Sequence, residues 1–198
     1  MPVSVRGLSK SFDGKRVLDN LSLDLPDRGV VAIQGRSGAG KTTLLNILMG
    51  LLTPDAGLID GLAGRRVTAV CQENRLLENW SALKNIRLVC GRAVTDAEIR
   101  SHLAAVGLAG EEKTPVRSLS GGMKRRVALV RGVIAPGDIL VLDEPFKGLD
   151  EATRDQAVRY VLSHAAGRLI LLVTHDPAEA AAMGAVQTVV IGEETQDS

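Results

Sequence analysis

Residues 35–43 read GRSGAGKTT, between an apolar run, Val30-Val31-Ala32-Ile33, and a helix-like run, Leu44-Leu45-Asn46-Ile47-Leu48-Met49. The pattern G-x-x-x-x-G-K-[ST] between a strand and a helix is a phosphate-binding loop in its expected setting. It constrains the chain strongly, because Gly35, Gly38 and Gly40 let consecutive backbone N–H groups turn inward while the following helix points its positive end at the same place. The natural occupant is a nucleoside triphosphate, cradled by the backbone of Gly35, Arg36, Ser37, Gly38, Ala39 and Gly40. Lys41 is expected to reach the β- and γ-phosphates, the Thr42 hydroxyl to ligate a magnesium ion that keeps most of its waters, and Thr43 to add a hydroxyl near the α-phosphate.

With 45% hydrophobic residues in 198, the chain can bury a substantial core. Aromatics are only 2%, so that core must come from Leu, Val, Ile and Ala. A formal charge of +1, from 24 basic and 23 acidic side chains, gives no bulk basic field, and no nucleic-acid partner is expected. No uninterrupted apolar segment approaches the roughly 20 residues of a membrane span, and MPVSVRGLSK lacks the apolar centre of a signal peptide. These features predict a cytoplasmic protein that reaches a membrane only through a partner. Cys71 and Cys90 lack metal-type spacing and read as small buried apolar residues.

Short β-type segments at 3–8, 17–25 and 30–34, separated by Asp13-Gly14, Pro26 and Gly29, predict an antiparallel region feeding the nucleotide strand. Residues 53–57, TPDAG, read as a breaker, and 67–71 as a further strand ending at Gln72. From Leu83 to Val106 the apolar spacing turns helical until Gly107 and Gly110. Strand signals return at 139–142 and 169–173, interleaved with helical stretches at 151–166 and 177–182, and the last residues, GEETQDS, are polar. Continuous apolar strands alternating with helices indicate a parallel sheet buried on both faces.

The strand Ile139-Leu140-Val141-Leu142 delivers Asp143 and Glu144 together at its C-terminal end, where open parallel sheets place their ligands. Asp143 is expected to hold the magnesium through water and Glu144 to polarise the water that attacks the γ-phosphate. Leu119-Ser120-Gly121-Gly122-Met123 precedes a basic and apolar helix beginning Lys124-Arg125-Arg126. On local physics this segment reads equally as a second anion site or as a capped helix start whose basic run is a solvated face.

These pieces, in this order, resemble the ATP-binding subunit of an ABC transporter over nearly the whole chain. The resemblance implies an α/β fold: a P-loop NTPase core with a mostly parallel sheet, an N-terminal antiparallel β-subdomain and a small helical subdomain. It implies one domain over 1–198, with 1–72 and 136–198 as the core and 73–135 as the helical part carrying the signature. It assigns Gln72 to the Q-loop, touching γ-phosphate and magnesium, Gly148-Leu149-Asp150 to the D-loop, and His175 to the switch histidine that works with Glu144. Phe12 matches the ring that stacks on adenine, although an apolar ring in a β-turn also packs inward. ATP and Mg2+ are the implied cofactors.

In that family two cassettes pack head to tail, so the resemblance implies a second ATPase subunit whose Ser120, Gly121 and Gly122 meet the γ-phosphate in trans. It also implies an integral membrane permease, touched by residues 73–80, ENRLLENW, although Trp80 and the leucine pair read equally as core. Met123, where the family most often has glutamine, and the phrases EN-R-L-L and DEPF are similar to the importer subgroup for nitrate, sulfonates and taurine. An extracellular solute-binding protein is then expected as well. Lys147 stands where that subgroup has a small residue, which predicts altered D-loop packing. Few residues separate Lys41 from Gln72, which suggests a trimmed β region, and little follows Val190, so no regulatory domain is expected there. The alternatives are an exporter motor for lipids or peptides and a soluble ABC ATPase; the soluble kind commonly carries coiled-coil arms, zinc hooks or a second cassette, none of which is seen.

Overall fold

The computed structural model describes residues 1–165 and 167–192. Three strands, β1 (Val3–Phe12), β2 (Lys15–Leu25) and β4 (Ala56–Asp60), form an antiparallel sheet in the order β2-β1-β4. The other five, β3 (Gly29–Gln34), β5 (Val67–Val70), β6 (Ile139–Asp143), β7 (Leu169–Val173) and β8 (Ala185–Val190), form a sheet ordered β5-β6-β7-β3-β8 in which every ladder is parallel. The α/β expectation holds.

Residues of β6 and β7 are buried throughout, and alternation sends them to opposite faces. Leu140, Leu142 and Leu172 enter a core with helices α2 (Ala82–Cys90), α3 (Asp96–Ala105), α4 (Gly121–Ile134) and α5 (Glu151–His164). Ile139, Val141 and Leu171 enter a second core with helix α1 (Lys41–Leu48) and the inner face of the antiparallel sheet. Each such buried side chain contributes about 1.5–3 kcal/mol relative to exposure, which makes the sheet the rigid base of whatever its C-terminal edge carries. Helix α4 lies unusually close to β5: a Cβ on Gly132 would stand 2.5 Å from a methyl of Val70. A short helix, α6 (Pro177–Ala182), leads into β8.

The helical stretch from Leu83 to Val106 resolves into two helices, because Gly91 ends α2 at φ 55 and Thr95 with Glu98 forms a capping box that starts α3. Three readings are corrected. The breaker at 53–57 runs into β4, where Gly57, at φ 99, brings its backbone against β1: a Cβ there would lie 2.7 Å from the Arg6 carbonyl oxygen. Strand β8 lies in a stretch read as having no element. Of the two thiols Cys90 is buried but Cys71 is only half-buried; both are free. Residue 166 of the expected last turn of α5, and 193–198 of the polar tail, lie outside the described residues.

Helices α3 and α5 meet through three rings. The Tyr160 hydroxyl is 3.1 Å from His102 Nδ1, and His164 stacks on Tyr160 with centroids 4.5 Å apart. Burial, and then the neighbouring His164, lower the His102 pKa below its ordinary 6.5, against the pull of Glu98. The unfolded chain therefore binds this proton more readily than the folded one, so the contribution is fully present above the ordinary value and is lost as pH falls below it. We expect the urea midpoint to drop between about pH 7.5 and about pH 5.5, and to drop less in His102→Gln. An equal fall in both proteins would remove His102 as the cause.

Candidate active site

An open cavity of about 320 Å3 sits at the C-terminal edge of the parallel sheet, bordered by the 35–43 loop after β3, by Asp143 and Glu144 after β6, by His175 after β7 and by Gln72 after β5. A larger opening, about 580 Å3, lies at the opposite edge beside Arg65 and Arg168 and gathers no comparable set of groups.

The loop is shaped by backbone. Gly40 takes φ 96 as the residue before α1, and a Cβ on it would stand 2.8 Å from the Val17 carbonyl oxygen. No side chain caps α1, whereas Ser120 caps α4 and Asp150 caps α5. The free N–H groups of α1 are thus left for an anion. Lys41 folds back over the loop, its Nζ donating to the carbonyls of Gly35 at 2.7 Å and Arg36 at 2.8 Å.

The acidic pair is divided by environment. Asp143 ends β6 and is 8% exposed; burial, and then Glu144, push its carboxyl above the usual range. Glu144 departs from the strand into the left-handed region at φ 48, uncommon for a residue with a side chain, and is fixed there by its N–H to the Val173 carbonyl at 3.0 Å. Its Oε2 accepts from Lys147 Nζ at 2.7 Å and Gln72 Nε2 at 3.3 Å, and its Oε1 lies 3.7 Å from His175 Nδ1. The Lys147 hydrogen bond is the main reason the Glu144 carboxyl sits below the usual range. Lys147, expected only to alter packing of the turn, thus lies on the carboxylate that sequence reading made the base.

Other expected residues stand apart. Phe12 ends β1, is 44% exposed rather than packed inward, and has Lys10 Nζ 5.7 Å from its ring centroid. Ser120, Gly121 and Gly122 begin α4 outside the lining of this cavity, and Ser120 is engaged as a cap, accepting from Met123 N–H at 3.3 Å. Asp150 likewise accepts from the N–H and hydroxyl of Thr153, both at 2.9 Å. In the 73–80 segment Leu76 packs on the core while Leu77 and Trp80 are exposed.

Sequence reading passed over two groups. Asn85, fully buried, donates to the carbonyls of Leu77, Trp80 and Ser81 and accepts from Leu77 N–H. Arg125, in the run read as a possible solvated face, is 4% exposed. Its signal was helical spacing, since Arg125 shares a face with Leu129 and Gly132, both buried.

Fold and cleft together define an ATP-binding P-loop ATPase with a separate, capped signature helix. The chain belongs to the ABC transporter family, whose sequence profile matches residues 18–147. It is similar to the aliphatic sulfonates import ATP-binding protein SsuB 3 of Paraburkholderia xenovorans, 45% identical over 185 residues, which cover 91% of this chain and 73% of that protein. The protein of the same name from Rhodococcus jostii is 42% identical over 183 residues, 91% of this chain and 68% of that protein. The aliphatic sulfonates import ATP-binding protein SsuB 2 of Xanthomonas axonopodis pv. citri is 38% identical over 191 residues, 92% of this chain and 65% of that protein.

Proposed function

We propose that this chain is the motor of an importer for a small solute of the sulfonate class, hydrolysing ATP to drive a separate integral membrane permease. The observation that carries the reading is the convergence of Lys41, Gln72, Asp143, Glu144 and His175, from four separate segments, on one cleft. The import direction and solute class rest on the names of the relatives. Among the described residues no helix is long and apolar enough to cross a membrane, so attachment to the inner face of the membrane is assigned to the permease.

In this reading Lys41 exchanges the carbonyls of Gly35 and Arg36 for phosphate oxygens, and the uncapped start of α1 receives the same charge. Glu144 accepts the proton of the attacking water, and His175 holds that water in line. Asp143, Thr42 and Gln72 offer a carboxylate, a hydroxyl and an amide oxygen at one cavity edge, a hard oxygen set that suits magnesium, and Asp143, whose charge burial and Glu144 disfavour, is a carboxylate that a cation would relieve. Bound there, magnesium would neutralise phosphate charge. Phe12 serves as the adenine platform. Ser120, Gly121, Gly122 and Asp150 are not among the residues that line this cavity, which fits completion by a second cassette: Ser120, Gly121 and Gly122 of one copy face the nucleotide of the other, with Asp150 at the seam. Residues 73–135 then act as a helical lobe on the core formed by 1–72 and 136–198, and the exposed Leu77 and Trp80 meet the permease. A solute-binding protein outside the membrane completes the system.

Purification from native membranes in mild detergent tests this reading. An integral permease in stoichiometric amount, with a solute-binding protein for sulfonates, is expected. A permease with no binding protein would turn the reading toward export, and soluble partners alone would refute transport.

A further inference from the structure

Glu144, the base of the proposed reaction, is already engaged at both carboxylate oxygens. Oε2 accepts from Lys147 Nζ at 2.7 Å and from Gln72 Nε2 at 3.3 Å, which fills its two lone pairs and leaves no acceptor capacity there for a water. Oε1 faces His175 Nδ1 at 3.7 Å, too far for a hydrogen bond. The carboxylate is thus turned so that one oxygen is occupied and the other stops short of the histidine that holds the attacking water. We infer that Lys147 is a positioning residue that acts as a brake, holding the Glu144 carboxylate in this resting orientation by a bond that each turnover must first break. The inference rests on the function proposed above and adds to it a restraint on the base carried by the chain itself.

Of the two donors on Oε2, Lys147 holds the stronger bond. Its contact is the shorter one and joins opposite charges, whereas Gln72 offers a neutral amide at longer range. Lys147 also comes from a different direction, since it is not among the residues lining the nucleotide cavity, which include Gln72, Glu144 and His175. Its place is therefore distinct from that of Lys41, which lies in the phosphate loop with Nζ on the carbonyls of Gly35 and Arg36.

Packing does not account for the contact. The turn after Glu144 is shaped by its backbone and its apolar residues: Lys147 N–H donates to the Glu144 carbonyl at 3.3 Å, Leu149 N–H to the Phe146 carbonyl at 3.2 Å, and Phe146 is buried in the core on which Leu149 packs. The Lys147 side chain is 60% exposed, against 21% for that of Glu144, so the turn does not depend on it and its four-carbon stem is free to swing away. Glu144 itself is seated by the bond from its N–H to the Val173 carbonyl, so losing Lys147 changes how the carboxylate can rotate and leaves its backbone in place.

The experiment measures steady-state ATP hydrolysis with magnesium, and equilibrium binding of a fluorescent ATP analogue, for wild type, Lys147→Ala and Lys147→Arg. In Lys147→Ala we expect kcat to rise about three- to fivefold, the scale of one partly exposed ion pair, with KM and analogue affinity within about twofold of wild type. Lys147→Arg keeps a cation over the carboxylate and should leave kcat within about twofold. A side chain with a structural role alone would lower kcat on removal or leave it unchanged. Lys147→Ala at or below the wild-type kcat therefore overturns the brake, and so does an equal rise in Lys147→Arg, because the charged contact would then not be the restraint. In a Glu144→Gln background Lys147→Ala should leave the residual rate where it is; a rise there would place the effect of Lys147 elsewhere and overturn the brake alone. A wild type that neither binds nor hydrolyses ATP overturns the proposed function, and the brake with it.

Discussion

The Glu144→Gln protein is expected to bind ATP normally and hydrolyse it about a thousandfold more slowly, about 4 kcal/mol of added barrier. The backbone at this residue is held by the bond from its N–H to the Val173 carbonyl, which the substitution leaves untouched. The amide has nearly the volume of the carboxylate, and its oxygen can still accept from Lys147 and Gln72. What disappears is the ability to take a proton from water. Binding and chemistry should therefore separate, and ATP should accumulate in a dimer that light scattering detects and the wild type populates only briefly. Turnover within tenfold of wild type would remove Glu144 from the role of base.

Lys41→Ala should fail at the earlier step. Its ammonium is already half stripped of water by the carbonyls of Gly35 and Arg36, so transfer to phosphate oxygens exchanges one set of acceptors for a more strongly charged one. Losing hydrogen bonds from a charged donor costs about 1.5–3 kcal/mol, and with the Coulomb attraction we expect ATP affinity to fall about a hundredfold. Equilibrium binding of a fluorescent ATP analogue measures this directly. Unchanged affinity with lost turnover would move Lys41 from binding to chemistry.

The phosphate loop and the strand bearing Asp143 and Glu144 were readable because their chemistry is local: a glycine spacing, a lysine, an apolar run ending in carboxylates. Strand β4 was hidden because Gly57 looks like turn punctuation, while its actual reason is close approach to β1, a fact about a partner distant in sequence. The boundary between α2 and α3 falls in the gap between the apolar positions 83, 86, 89 and 99, 103, 106, where Gly91 and the Thr95–Glu98 capping box are its local signals. Strand β8 was overlooked because half its residues face solvent, so its apolar signal is diluted. Arg125 lay in a run left open between an anion site and a solvated face; only tertiary structure reveals carbonyl oxygens from two distant segments pointing at one spot. The pairing of Lys147 with Glu144 likewise depends on the turn that brings them together.

The position of β5 at the border of the parallel sheet has a consequence for how the chain can respond to a nucleotide. Strands β3, β6 and β7, which present the loop, the carboxylates and His175, each have a neighbour on both sides, so displacing any of them would break two ladders at once. Strand β5 has only β6, and breaking with it costs a single ladder. The architecture therefore gives the groups that must stay still the stiffest seats and reserves the softest one for Gln72, allowing one end of the sheet to yield while the chemistry beside it keeps its alignment.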